Sequence, residues 1–149
     1  NNQAPRMLLI TYGFITAMTY FPFGAGFALY GSEMAARYYS PLYVKYGWKY
    51  SYAMGIDREG GSALNDNYLA TIVGEIGIFG LILYIYILIK IFLQINNVQI
   101  NKNLKSLTLS LFICMIAAFV ATGIMKSSTG VFCYVVFGVL CGLGEKQIF

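Results

Sequence analysis

The chain has 149 residues, of which 58% are hydrophobic and 11% are charged, and its formal net charge is +4. Because the apolar residues form continuous runs, this composition excludes an ordinary soluble domain and predicts an all-α integral membrane protein. The ten basic residues are scattered and form no stripe, so we expect the lipid bilayer as a partner and no nucleic acid. The three cysteines lie in apolar runs, and the sequence has no histidine to complete a ligand set, so we expect no metal site.

The N-terminal segment predicts a short helix over residues 5–22. Pro5 suits the first turn of a helix, and Pro22 with the glycines that follow it supplies an exit. As a helix, residues 7–21 would extend about 22 Å, which is too short to cross the ~30 Å hydrocarbon core. The segment is therefore a cut-down span, a re-entrant helix or an interfacial helix. The first residues include neither an initiator Met nor a leader pattern, so we expect the chain to be a fragment of a larger polytopic protein.

Residues 23–66 contain no run that is long and apolar enough to cross a membrane, and they predict a long outside loop. Its aromatic content is too high for disorder. Within it, residues 32–39 predict a short helix with Ser32 as its N-cap, ended by Ser40 and Pro41. The tyrosines and basic residues of the loop are typical either of an interfacial aromatic belt or of a carbohydrate-binding platform.

A polar turn followed by a long apolar run predicts the first transmembrane helix over residues 67–95. Asn65 and Asp66 are suitable N-cap residues. The helix would extend about 43 Å, so Glu75 falls inside the membrane, where it needs a partner or a wet cavity. In a regular helix Asp66 and Glu75 would lie on opposite faces and about 13 Å apart along the axis, which excludes a paired acid and base.

Small residues follow one side of this helix. Ala70, Gly74 and Gly77 recur at spacings of four and three residues, and Gly80 extends the small surface. Small residues let two backbones approach closely, so we expect another helix to pack against this side.

Two further transmembrane helices are predicted over residues 107–125 and 128–144. In this three-span arrangement four lysines fall on one side of the membrane, namely Lys90, Lys102, Lys105 and Lys146. The positive-inside tendency makes that side cytoplasmic and places the aromatic loop and Asp66 outside.

The order of the motifs between residues 5 and 95 resembles a known family. The motifs are Pro5-Arg6, then Phe-Pro-Phe-Gly-Ala-Gly-Phe, Tyr-Ser-Pro-Leu-Tyr, Asn-Asp-Asn-Tyr-Leu and Gly-Glu-Ile-Gly-Ile-Phe-Gly. They are similar to the C-terminal part of the Wzy-type polymerases of O-antigen and capsular polysaccharide. The wider superfamily includes the O-antigen ligases.

The resemblance implies a GT-C-like polytopic enzyme of the bacterial cytoplasmic membrane that acts on the outer face without a metal or cofactor. Such an enzyme joins oligosaccharide repeat units carried on undecaprenyl diphosphate, and a flippase and a chain-length regulator are its expected protein partners. By matching position, Arg6 would bind the lipid diphosphate, and Asp66 would be the general base of an inverting transfer. The further substrate-binding candidates are Arg37, Arg58, Tyr39, Tyr43 and Trp48. The resemblance also covers residues whose role is structural or open, namely Gly24, Gly26, Glu75, Gly77 and Gly80.

Other interpretations of the same residues stay open. Arg6 is equally a membrane anchor, and Asp66 equally a helix cap. The ligases of the superfamily carry a histidine near the start of the helix after the loop, and its absence here favours a polymerase. Glu75 could instead be the ion or proton site of a transporter or flippase segment, or bond a neighbouring helix in a purely structural membrane subunit.

Overall fold

A computed structural model describes residues 4–57, 63–97, 101–121 and 128–145. Within these ranges the chain forms helices, turns and irregular segments, with no strand, in agreement with the predicted all-α class. The chain divides into two compact units, Asn1–Ile82 and Leu83–Phe149. The helices are α1 Pro5–Thr19, α2 Glu33–Arg37, α3 Pro41–Lys45, α4 Tyr68–Asn97, α5 Lys102–Ala121 and α6 Ser128–Glu145, with a 3-10 turn over Trp48–Tyr50.

The first helix follows the predicted start signal. Pro5 lies in the first turn of α1, where its missing N–H leaves no hydrogen bond unmade and its fixed φ suits the helix. The helix ends at Thr19, three residues before the predicted end. The hydroxyl of Thr19 donates to the carbonyl of Ile15 (2.8 Å). Leu9 and Ala17 are fully buried, so α1 packs into the core of the first unit.

The loop of the first unit is folded by local caps. The hydroxyl of Ser32 accepts from the N–H of Ala35 (3.3 Å), which confirms Ser32 as the N-cap of α2. Ser40 caps the next helix in the same way, with the N–H of Leu42 as its donor (3.3 Å). Pro41 therefore opens α3 in addition to separating it from α2.

The start of α4 differs from the prediction by one residue. The amide oxygen of Asn67 accepts from the N–H of Ala70 (2.9 Å), so Asn67 is the N-cap. The prediction of Asn65 or Asp66 as the cap is wrong, because Asp66 lies in the preceding turn and its N–H donates to the carbonyl of Ala63 (3.2 Å). The predicted helical relation between Asp66 and Glu75 therefore does not apply.

The predicted regularity of α4 is also wrong, because the helix is broken at Gly77. This glycine has φ 75° and ψ −165°, a combination that is available essentially to glycine alone. The turn after α1 docks on the break, with Gly24 directly against Gly77. Three backbone hydrogen bonds join the two segments: Ala25 N–H to Gly74 C=O (2.9 Å), Gly26 N–H to Glu75 C=O (3.0 Å) and Phe79 N–H to Pro22 C=O (3.3 Å).

The second unit consists of the last part of α4 with α5 and α6. The hydroxyls of Tyr84 and Tyr134 are hydrogen-bonded (2.6 Å), and the ring of Tyr84 stacks on Phe119 (4.7 Å between ring centres). Phe112 contacts both Phe92 and Phe137. Aromatic packing thus joins the three helices in this unit.

Two helices are long and apolar enough to cross a membrane. They are α4 and α5, each of which contains an 18-residue apolar stretch with at most two charged residues. The predicted second span began at residue 107, whereas α5 begins at Lys102, and residues 122–125 of that span lie outside the described residues. In the part of α6 whose side chains the structure describes, the apolar helical run is Gly130–Val139, and the third crossing stays a prediction.

Candidate functional site

The two predicted catalytic residues, sixty positions apart in sequence, are in direct contact. Nε of Arg6 donates to Oδ2 of Asp66 (2.7 Å), and its Nη2 forms an ion pair with the same oxygen (2.7 Å). Arg6 belongs to the first turn of α1, and Asp66 lies in the turn just before α4. The site is therefore built where the N-terminal ends of two apolar helices meet.

This ion pair is open to ligands. The side chains of Arg6 and Asp66 are 56% and 38% exposed, respectively, and a pair so exposed contributes only about 0–1 kcal/mol to stability. Because Asn67 caps α4, Asp66 is not needed as the cap. Within the described residues no other group donates to the carboxylate of Asp66, whose Oδ1 is left to accept a further proton or hydrogen bond.

All three rings predicted to bind substrate lie in the core instead. Tyr39, Tyr43 and Trp48 are at most 9% exposed. Tyr43 stacks on Trp48 with 5.5 Å between ring centres and 20° between planes, and its hydroxyl accepts from the N–H of Gly31 (2.8 Å). The rings of Tyr12 and Trp48 meet in a T-shaped contact (5.1 Å between ring centres). In this packing the three rings offer no open face to a sugar, and their role is to hold the loop.

Other tyrosines of the loop present open rings. Tyr38, Tyr50 and Tyr52 are each more than 70% exposed, and the ammonium group of Lys49 lies 5.5 Å from the ring centre of Tyr50. Sequence reasoning did not separate these tyrosines from the buried ones. No periodic pattern distinguishes them, because the helices of the loop are only five residues long.

Arg37, the arginine candidate of the loop that the structure describes, is not brought to the ion pair. Arg37 ends α2 and is exposed. Arg58 lies outside the described residues. Sequence reasoning gave both residues by charge and position in the loop, and among the described contacts Arg37 has none with Arg6 or Asp66.

Glu75 is buried against the loop of the same chain. Its side chain is 7% exposed, and Oε1 accepts from the hydroxyl of Ser32 (2.6 Å) and the N–H of Tyr30 (3.3 Å). Sequence reasoning sought its partner on a neighbouring helix or in a wet cavity and missed Ser32 and Tyr30. Ser32 both caps α2 and donates to this carboxylate, so Glu75 fixes the start of α2 against α4.

The small side of α4 receives a tyrosine ring as well as backbone. A methyl group at Gly74 would overlap the ring of Tyr30. The hydroxyl of Tyr30 donates to the carbonyl of Leu9 (2.6 Å), and burial, followed by the neighbouring tyrosines, raises its pKa far above the ordinary value. A methyl group at Gly13 of α1 would lie 3.2 Å from the carbonyl oxygen of Ala70, so α1 also approaches this side.

The remaining glycines of the motif differ in what they do. Gly26 has φ 98° and little around it, whereas Gly24 combines φ 72° with direct backbone contact to Gly77. A methyl group at Gly80 would meet only the side chain of Ile76 from its own helix. Of the glycines in these motifs, Gly24 and Gly77 therefore form the close backbone contact between the loop and α4.

Comparison with known proteins gives no relative to guide the interpretation: no family model, curated protein or solved structure matches the chain. Among the described residues no group of three or more metal-ligating side chains is positioned to hold a metal ion. The interpretation of the site therefore depends on its own geometry and on the motif order described above.

Proposed function

We propose that the chain is part of a membrane-embedded glycan polymerase that joins repeat units carried on undecaprenyl diphosphate at the outer face of the bacterial cytoplasmic membrane. The observation that carries the proposal is the exposed Arg6–Asp66 pair at the start of an apolar helix long enough to cross a membrane. The family resemblance selects the same two residues independently of their contact. The finer topology, with three crossings and the loop outside, belongs to this proposal.

In the proposed reaction the hydroxyl of an acceptor sugar attacks the anomeric carbon of the lipid-linked donor. The new glycosidic C–O bond forms as the bond from that carbon to the diphosphate oxygen breaks, and the lipid diphosphate leaves with the electron pair. The hydroxyl proton passes to the carboxylate of Asp66, acting as general base. The guanidinium of Arg6 binds the diphosphate and stabilises its developing charge.

The contact between the two residues suits this division of roles. Before substrate binds, Arg6 and Asp66 neutralise each other, so neither charge stands alone. A diphosphate competes with the carboxylate for the same guanidinium, because phosphate oxygens accept its planar N–H fork as well as a carboxylate does. Binding of the donor therefore releases Asp66 to accept the proton.

The exposed rings of Tyr38, Tyr50 and Tyr52 are the proposed contact surface for the glycan. Aromatic rings carry a large apolar face with a polar hydroxyl at the edge, which fits the alternation of C–H and O–H groups on a sugar. They replace the buried Tyr39, Tyr43 and Trp48 in this role.

The test is product length in a polymer-deficient host that receives the full-length protein. With Arg6→Ala or Asp66→Asn, we expect the glycan ladder to collapse to single repeats while the protein still accumulates in the membrane. Lys45→Ala and Asp57→Asn are matched controls, since both residues are exposed charges of the same loop, and these variants should give the wild-type ladder. A normal ladder from Arg6→Ala and Asp66→Asn would remove the pair from the mechanism.

The exchange of the two charges separates catalysis from stabilisation. A protein carrying both Arg6→Asp and Asp66→Arg can re-form the ion pair, but it places each group where the other acts. If the pair only joins α1 to the start of α4, polymer length returns in the double variant. If the proposal is correct, the double variant is as inactive as either single one.

The superfamily's ligases and a transporter segment are the alternatives. Transfer of glycan to lipid A core or protein, in place of longer polymer, would identify a ligase. The break in α4 beside Glu75 is a feature that transporters also use. That function predicts loss of substrate movement in Glu75→Gln, with polymerisation of externally supplied substrate intact.

A further inference from the structure

The turn that docks on the break of α4 exposes large apolar side chains. Phe21 and Phe23 are 67% exposed, and Phe27 is 81% exposed. The ring of Phe23 contacts the ring of Phe79 on α4 (6.0 Å between centres), and Phe79 is itself exposed. A contiguous apolar surface of this kind marks contact with lipid or with another protein.

This surface continues the apolar side of α4. Ile82 follows Phe79 by one turn, Ile76 lies just before the break at Gly77, and both are also exposed. Since α4 is long and apolar enough to cross a membrane, acyl chains are a suitable contact for its exposed apolar side. The Phe23–Phe79 contact extends that side onto the turn.

The backbone of the turn packs against α4, and some of its polar groups are satisfied there. Non-helical backbone is tolerated at membrane depth where it is buried in protein or lines a water-filled cavity. Pro22 has no N–H, and the N–H groups of Gly24, Ala25 and Gly26 donate to carbonyls of Tyr20, Gly74 and Glu75. Two carbonyl groups of α4 just before the break at Gly77 thus accept N–H groups of the turn.

The position of the break along α4 gives the depth. About twenty apolar residues cross the hydrocarbon core, so a crossing that ends at Lys90 begins near Ala70. Gly77 then lies about 10 Å inside the outer boundary, at a rise of ~1.5 Å per residue. The turn that is bonded to it lies at the same depth.

We propose that residues 21–27 form a re-entrant turn immersed in the outer leaflet, with the side chains of Phe21, Phe23 and Phe27 against lipid acyl chains. Among the three possibilities that the sequence left for the N-terminal segment, this one makes α1 enter the membrane and the loop return to the same side. The inference rests on α4 as a membrane span, and its choice of the outer leaflet rests on the orientation given under the proposed function, but neither depends on the polymerase reaction.

Spin labels at matched positions test the proposal in the full-length protein, reconstituted in phosphatidylethanolamine and phosphatidylglycerol vesicles. Single cysteines for labelling are introduced as Phe23→Cys, Ile82→Cys and Tyr52→Cys, in a background whose native cysteines are replaced. The three native residues are similarly exposed, at 67%, 61% and 72%, so burial in the first unit does not separate them. Power-saturation spectroscopy then compares collision with oxygen, which concentrates in lipid, and with a water-soluble nickel chelate.

We expect the label at residue 23 to behave as at residue 82, with oxygen collision dominant, and the label at residue 52 to show the reverse. Dominant nickel collision at residue 23 would place the turn in water and overturn the proposal. Low collision with both reagents would mean that protein covers the turn, which also overturns it. Phe27→Cys provides a second position in the same turn if Phe23→Cys does not fold.

Discussion

Replacing Gly77 with alanine tests whether the turn after α1 holds α4 in its broken form. A residue with a side chain that adopts the φ and ψ of Gly77 carries backbone strain of about 1–3 kcal/mol. The added methyl group would also overlap the N–H of Gly24 and the carbonyl of Pro22. Both are backbone atoms, so they cannot rotate away, and the turn has to move.

Moving the turn breaks the three hydrogen bonds between residues 22–26 and 74–79. At about 0.5–1.5 kcal/mol for each bond, plus the backbone strain, we expect Gly77→Ala to destabilise the protein by about 3–7 kcal/mol. Gly47→Ala is the control, because Gly47 has nearly the same φ (74°) and no atom within 4 Å of the added methyl group. Its expected cost is about 1–2 kcal/mol from the left-handed backbone alone.

The assay is thermal unfolding of the full-length protein in detergent micelles, followed by circular dichroism, with wild type and both variants measured side by side. If α4 is broken at Gly77, the Gly77→Ala variant should unfold at a much lower temperature than the Gly47→Ala variant. In a continuous helix the sign reverses, since alanine is favoured over glycine in a helix interior by about 0.5–1 kcal/mol. A variant as stable as wild type would therefore refute the docking of the turn on the break.

Two smaller changes address the buried polar contacts of the first unit. Glu75→Gln keeps an oxygen acceptor for Ser32 and should leave thermal stability and polymer length nearly unchanged. Glu75→Leu should lower the free energy of unfolding by about 1–3 kcal/mol, because it leaves buried donors without a partner. A loss of function specific to Glu75→Gln would instead support an ion or proton site. Tyr30→Phe removes the hydrogen bond to Leu9 and should cost about 0.5–1.5 kcal/mol. Tyr50→Phe, at an exposed position, should change the free energy of unfolding by less than about 0.5 kcal/mol. Equal effects of the two tyrosine changes would contradict the Tyr30–Leu9 bond.

Local signals in the sequence were sufficient for some elements. Pro5 at the start of α1 and Ser32 at the cap of α2 act within one helical turn, so they could be identified without tertiary information. The apolar runs in the sequence likewise predicted two helices, α4 and α5, that are long and apolar enough to cross a membrane. The predicted N-cap of α4 was misplaced because Asn65, Asp66 and Asn67 are all suitable N-cap residues, and the sequence pattern does not distinguish between neighbouring candidates.

The features that the sequence did not predict depend on distant partners. Gly77 is surrounded by apolar residues that favour a helix, and its positive φ is stabilised by donors about fifty positions earlier in the chain. Burial of Trp48 and exposure of Tyr50 likewise follow from tertiary packing. Sequence reasoning selected Arg6 and Asp66 by family position, but their contact could be seen only in the fold.

The bonds across the break also give the chain an order of assembly. An ordinary helix completes its hydrogen bonds within five neighbouring residues as it leaves the ribosome. In α4 the bonds around Gly77 need the turn of residues 22–26, which is synthesised well before them. The shape of α4 is thus fixed by a segment already made. A deletion or insertion that displaces this earlier turn changes a helix that starts more than forty residues further along the chain, with no substitution in the helix itself.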